Sequence, residues 1–206
     1  MTLPEQSPMA GETFWHRRFG PVLGGALAFA FEVFRIVVIS LAIIWPIRHF
    51  LAQPFYVKGA SMENTFYDHE YLIIDELSYR LHDPARGEII VFRYPRDPSE
   101  FFIKRVVGLP GEEVEVANGY VTVFTSGYPD GIVLEEPYLG DAYTPGYVSR
   151  VQLGPDEYFV LGDNRDASLD SRVIGAIKRD AIVGRVWLRG LPLSRIAVFD
   201  TPGYNL

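Results

Sequence analysis

Three short stretches of the 206-residue chain hold side chains able to do chemistry. In Gln53-Pro-Phe-Tyr-Val-Lys-Gly-Ala-Ser61-Met62 a serine follows Gly59 and Ala60, where the backbone can come close to a ligand; alone, a turn serine is the plainer reading. In Phe101-Phe-Ile-Lys104-Arg105-Val-Val-Gly-Leu-Pro-Gly111, strand alternation puts Lys104 on one face with Phe102 and Val106, and Ile103 and Val107 on the other. A snorkelling lysine with its ammonium in water is the plain reading there. The sharper one is a desolvated amine, with neighbouring Arg105 also disfavouring the charged form. Its pKa must fall by about 2 to 3 from ~10.4, roughly 3 to 4 kcal/mol, which an apolar pocket can supply. Such a lysine can serve as a general base.

The third stretch is Leu161-Gly-Asp163-Asn164-Arg165-Asp166-Ala167-Ser168-Leu169-Asp170-Ser171-Arg172. A calcium loop starting at Asp166 needs Gly at its sixth position and Glu at its twelfth, and the chain has Ser171 and Ile177 there. Either this is a solvated loop, or Asp170 and Arg172 pair to fix Ser168 in place. Histidine adds little: a triad of His69 or His82 with Asp163 is formally possible but no motif supports it. Without cysteine, thiol nucleophiles, disulfides and Cys-bound metals are excluded.

These residues need elements to hold them. From Tyr71 onward, short β-branched and aromatic runs alternate with turn residues: Tyr71–Asp75, Glu88–Tyr94, Phe101–Leu109, Glu113–Ala117, Tyr120–Phe124, Tyr158–Leu161 and Ile182–Leu188. The fold class read from them is mainly β, an antiparallel sheet or partial barrel. Asn118-Gly119 marks a hairpin, because both residues tolerate positive φ. Residues 125–150, rich in Gly, Pro and Tyr, read as a loop-rich insertion. With 14 Phe, 12 Tyr and 3 Trp the chain can build a substantial core and is not a disordered polymer.

Ahead of the β region lies an apolar stretch. Between Phe19 and Ile47 only Glu32 and Arg35 are charged, and a bilayer needs about 20 helical residues, so one span over roughly residues 33–52 is expected. Residues 1–32 would precede it and residues 53–206 follow as the β-rich body. The run starts too late, and ends in too bulky a sequence (Trp45, Pro46, Arg48, His49), for a cleaved leader, so it reads as a retained anchor. His16, Arg17, Arg18 and Arg35 precede it and only Arg48 and Lys58 follow closely, which places the N-terminus in the cytoplasm and the body outside. The net charge is −7; residues 1–58 carry +2, leaving −9 on the rest, which argues against nucleic acid as a partner.

In this order and behind such an anchor, the motifs resemble type I signal peptidases, the membrane-bound Ser/Lys peptidases that remove signal peptides from exported proteins. The resemblance rests on Gln53 to Ser61-Met62, Arg86-Gly-Glu-Ile-Ile-Val-Phe-Arg-Tyr-Pro95, Lys104 to Gly111, and Gly162-Asp-Asn-Arg-Asp-Ala-Ser-Leu-Asp-Ser-Arg172. It implies Ser61 as nucleophile, Lys104 as general base, Ser168 as a hydroxyl orienting the amine, Asp170 and Arg172 as a supporting ion pair, and Asp163 in the same loop without a chemical step. It implies cleavage after small residues of the Ala-X-Ala type through an acyl-enzyme, with no metal or organic cofactor. Phe55, Val57, Met62, Phe66, Phe102 and Ile103 become the expected substrate-pocket residues. The implied partners are signal-peptide-bearing preproteins, membrane lipids and the protein-export channel, at the plasma membrane.

Three positions depart from the family pattern: Asn64 where Pro is usual, Ala167 where Asn is usual, and Gly59 where some members carry a serine that donates into the oxyanion hole. At Gly59 the hole would rely on backbone N–H groups, chiefly that of Ser61, and one lost donor costs about 10²-fold in rate. Two alternatives stay open: a dedicated Ser/Lys processing peptidase for one substrate class such as pilins, and a membrane-anchored β-domain without catalysis.

Overall fold

The computed structural model describes residues 20–46, 52–140 and 143–206. The chain divides into an N-terminal unit, Met1–His49, and a compact body, Phe50–Leu206.

In the first unit the described residues form a helix, α1 (Pro21–Pro46), that is apolar on every side but for Glu32 and Arg35. At 1.5 Å per residue its 26 residues reach about 39 Å, enough to cross a hydrocarbon core of about 30 Å. The helix therefore starts twelve residues before the Val33 boundary read from the sequence. The reason is local: Glu32 and Arg35 are one turn apart and pair at 3.3 Å, so the two charges meet each other instead of ending the helix. The basic residues at 16–18 and 48, which underlie the orientation argument, lie outside the described residues.

The body is mainly β, and its strands pair antiparallel. Its main sheet runs in the order β1 (Ala52–Tyr56), β2 (Tyr71–Asp75), β11 (Ile182–Leu191), β3 (Ile89–Tyr94), β4 (Asp97–Gly108), β9 (Glu157–Leu161), β10 (Ile177–Lys178), with β12 (Ala197–Val198) on β11. A smaller sheet orders β7 (Ile132–Val133), β6 (Tyr120–Phe124), β5 (Glu113–Ala117) and β8 (Val148–Gln152). Alternation builds the small sheet: Val114, Val116, Val121 and Val123 are buried, and they meet Val107, Phe159 and Leu161 of the main sheet in one hydrophobic cluster. Asn118 and Gly119 take φ of 54° and 89° and close Ala117 against Tyr120, the two-residue hairpin their types demand.

Two features of the main sheet matter for the site. β4 changes character along its length: Asp97 to Phe101 are exposed, and Lys104 to Gly108 are buried. It pairs with β3 as far as Arg105 and with β9 only from Arg105 onward, so among the described residues Ser99 to Lys104 present one unpaired backbone edge. β1 pairs only with β2 and leaves a second such edge. The sheet curls until Phe55 of β1 and Phe101 of β4 meet with ring centroids 5.4 Å apart, although the two strands are not neighbours in the sheet.

Candidate active site

Ser61 lies just past β1, in a turn whose backbone is tied at several points. Glu63 N–H donates to Ala60 O at 3.1 Å, and Phe66 N–H to Met62 O at 2.7 Å. From across the fold, Asn164 N–H donates to Ser61 O at 3.1 Å and Asn164 Nδ2 to Ala60 O at 3.0 Å. The Thr65 hydroxyl donates to Asp163 at 2.5 Å. The loop after β9 therefore fixes the turn after β1, with about a hundred residues between them.

Lys104 reaches Ser61 from β4, with Nζ 2.8 Å from Oγ. The amine also donates to Ile103 O at 2.8 Å, and the residue is 3% exposed. Burial lowers its pKa to about 8, against the opposing pull of the Asp170 and Asp163 carboxylates. Both carboxylates are themselves engaged. Asp163 takes two hydrogen bonds from Arg105, at 2.8 and 2.6 Å. Asp170 takes two from the Arg172 guanidinium, each 2.8 Å, one from Arg172 N–H at 3.3 Å and one from Gly162 N–H at 3.1 Å. Burial pushes the Asp170 carboxyl up, but hydrogen bonds from Arg172, Ser168 and Gly162 together with the Arg172 charge outweigh it and hold it below the usual range. With each acid spoken for, neither is left as an unopposed negative charge that would keep the amine protonated.

Arg105 does not act on Lys104 as the sequence suggested. Alternation turns it away to Asp163 and Gly87 O, where its charge is matched. Ser168 also differs from expectation. Its Oγ is buried beside the Asp170 carboxylate, and the second partner of the amine is Ile103 O. Ser168 nevertheless packs at the site: a Cβ on Gly162 would lie 2.2 Å from Ser168 Oγ and 2.5 Å from Ser61 O, so only glycine fits between them.

At the oxyanion position, Gly59 has φ +87° and its N–H donates to Asp68 Oδ1 at 2.9 Å, which takes that amide out of use. The Ser61 N–H meets no acceptor among the described residues and is the donor left to face a developing oxyanion.

Ser61 and Lys104 open into a cleft of about 660 Å³ between the two free strand edges. Phe55, Val57, Phe102 and Ile103 line it. Met62 and Phe66 do not: they are 1% and 0% exposed and pack with Val57, Leu72 and Val91 in the core beneath the turn. The Phe66-to-Met62 bond folds the chain back and aims both side chains into the sheet. The walls they were expected to form come instead from Leu72, Val91, Ala167 and Leu169. Alternation in β2 marks Leu72 as inward-facing, but the curl that brings β2 toward β4 leaves no trace in the sequence; Val91 is there because β3 pairs directly with β4, opposite Ile103.

The family described as signal peptidase, peptidase S26, matches residues 30–190. A probable signal peptidase I-2 of Synechocystis sp. is 39% identical over 174 residues, 81% of this chain and 76% of that protein. A signal peptidase I of Leptolyngbya laminosa is 37% identical over 183 residues, 83% and 84% respectively. A signal peptidase I structure from Enterococcus faecalis is 30% identical, covers 50% of this chain and 97% of its own, and superposes with a TM-score of 0.43. With a family match over most of its length and α1 as a helix able to cross a bilayer, the chain belongs to the signal peptidase (peptidase S26) family and is a membrane-anchored serine peptidase.

Proposed function

We propose that the chain removes signal peptides from preproteins with Ser61 as nucleophile and Lys104 as general base. The observation that carries the proposal is a buried amine, with its pKa lowered to about 8, 2.8 Å from a serine hydroxyl in an open cleft. In its neutral form Lys104 keeps one N–H on Ile103 O and turns its lone pair to the Ser61 hydroxyl. It takes that proton as Oγ attacks the scissile carbonyl, and the oxyanion forms against Ser61 N–H. The ammonium then protonates the leaving amine as the C–N bond breaks. Water, deprotonated by the same amine, attacks the ester, and the carboxylic acid product leaves as Ser61 regains its proton.

An extended substrate adds as a strand between the free edges of β1 and β4, its alternate side chains directed at the apolar walls. Phe55, Val57, Leu72, Val91 and Ile103 leave room there for small residues of the Ala-X-Ala kind. Arg17 and Arg18 precede α1 and Arg48 and Lys58 follow it, an even balance, so a cytoplasmic N-terminus and a body on the outer side of the plasma membrane rest on membership of the family and not on charge.

Cleavage of a synthetic signal peptide in detergent tests the reading. Ser61→Ala and Lys104→Ala should each lose activity while keeping the fold, and turnover surviving in either would rule the dyad out. In the parent, kcat/KM should fall about tenfold per pH unit below pH ~8, as the amine becomes charged. A flat acid limb would mean that another group is the base.

A further inference from the structure

The family match stops at residue 190, yet the sixteen residues after it are not a loose end. Phe199 packs edge-on to Phe66 at 4.6 Å, beneath the Ser61 turn. Gly87 has no side chain, and a Cβ there would lie 2.8 Å from the Tyr204 ring and 3.0 Å from Pro202. Asn205 then grips the small sheet: its Nδ2 donates to Val133 O at 2.9 Å and its Oδ1 accepts from Glu135 N–H at 3.1 Å. The tail thus runs from the main sheet to the small one behind the catalytic wall.

Where it passes, it joins a buried polar cluster. The Tyr204 and Tyr138 hydroxyls are 3.1 Å apart, and the Tyr138 hydroxyl donates to Glu136 at 2.6 Å. Glu136 accepts two further bonds, from Arg165 at 2.9 and 2.5 Å. Arg165 in turn donates to Gly162 O at 2.9 Å. The Tyr138 ring also carries the Arg105 guanidinium at 3.9 Å, and Arg105 holds Asp163. Gly162, Asp163 and Asn164 form the loop that fixes the backbone of Ser61, so both arginines behind it are braced by groups outside the loop. Burial pushes the Tyr138 and Tyr204 hydroxyls up, so both keep their protons at any working pH.

We propose that the C-terminal tail is a clasp for the dyad: Tyr204, acting through Tyr138 and Glu136, is a positioning residue that holds the 162–165 loop and hence Ser61 in line with Lys104. This rests on the peptidase reading above. None of the three residues lines the cleft, so loosening the clasp should lower kcat and leave substrate binding intact.

The test uses the full chain in detergent with the same synthetic signal peptide, comparing Tyr204→Phe, Glu136→Asp and a chain ending at Asp200. Per folded molecule, kcat should fall about threefold in Tyr204→Phe and about tenfold or more in the other two, with KM within about twofold of the parent. Near-UV circular dichroism gives the folded fraction. Should the shortened chain not fold, the two point variants decide. Unchanged kcat per folded molecule, or a rise in KM at constant kcat, would reduce the tail to packing or to a substrate contact and overturn the clasp. Ser61→Ala in the same assay separates the two claims: turnover surviving there sinks the peptidase reading, whereas a dead Ser61→Ala beside fully active Tyr204→Phe sinks only the clasp.

Discussion

Lys104 shows how much folding free energy a single amine can absorb. The folded amine titrates at about 8 against 10.5 for the free side chain, so the unfolded chain binds the extra proton across that interval. Stability therefore rises with pH from about 8 to 10.5: the burial cost, about 3 kcal/mol, is present in full below that window and gone above it. Lys104→Met keeps the length of the side chain without the charge. It should be inactive yet more stable than the parent by roughly 1 to 3 kcal/mol at pH 7, with the gain vanishing near pH 10.5. Denaturant titration at the two pH values checks this; an equal gain at both would assign the effect to packing and not to the amine. At this scale alternation put Lys104 on a face with Phe102 and Val106, but it did not decide between a snorkelling ammonium and a desolvated amine; the base role came from the resemblance to signal peptidases. The partner of Arg105 was not readable, since it depends on which acid a distant loop delivers.

Between elements, the decisive contact is the one from the loop after β9 to the turn after β1. Gly162 sits where they touch, and one of the atoms a methyl group would strike there is the Ser61 carbonyl oxygen, at 2.5 Å. A backbone atom cannot swing aside as a side chain does, so Gly162→Ala must displace the nucleophile. A shift of about 1 Å can cost about 10²-fold, and cleavage should fall by at least that much. Single-turnover rates, measured on protein with a parental near-UV spectrum, are the check, and near-parental turnover would mean that the turn yields without harm. The strands themselves were legible from alternation: Tyr71–Asp75, Glu113–Ala117 and Tyr120–Phe124 coincide with their elements to the residue. β8 escaped because Val148–Gln152 lies at the end of a Gly- and Pro-rich stretch whose composition reads as loop. The two-residue strands β7 and β10 are too short to show a period at all. Met62 and Phe66 were misplaced for a related reason: outside a regular element no periodicity says which way a side chain points.

Across the whole molecule, α1 and the body handle charge in two different ways. In α1 the Glu32–Arg35 pair sits within an otherwise apolar helix, and composition alone mistook that pair for the helix entrance. In the body, three arginine–carboxylate pairs stand behind the dyad: Arg105–Asp163 with side chains 5% and 1% exposed, Arg165–Glu136 with 1% and 8%, and Arg172–Asp170 with 10% and 0%. Their seclusion has a consequence for the solutions in which the enzyme can work. Raising ionic strength from 0.1 to 1 M shortens the screening length from about 10 Å to about 3 Å, but dissolved ions act only where they can enter. An outlying pair such as Arg150–Glu113, 48% and 33% exposed, should weaken in strong brine while the three inner pairs do not. Turnover at saturating peptide should accordingly stay within about twofold up to 1 M sodium chloride. A steep decline would reveal that electrolyte reaches the arginines, and with it that this wall opens during the catalytic cycle.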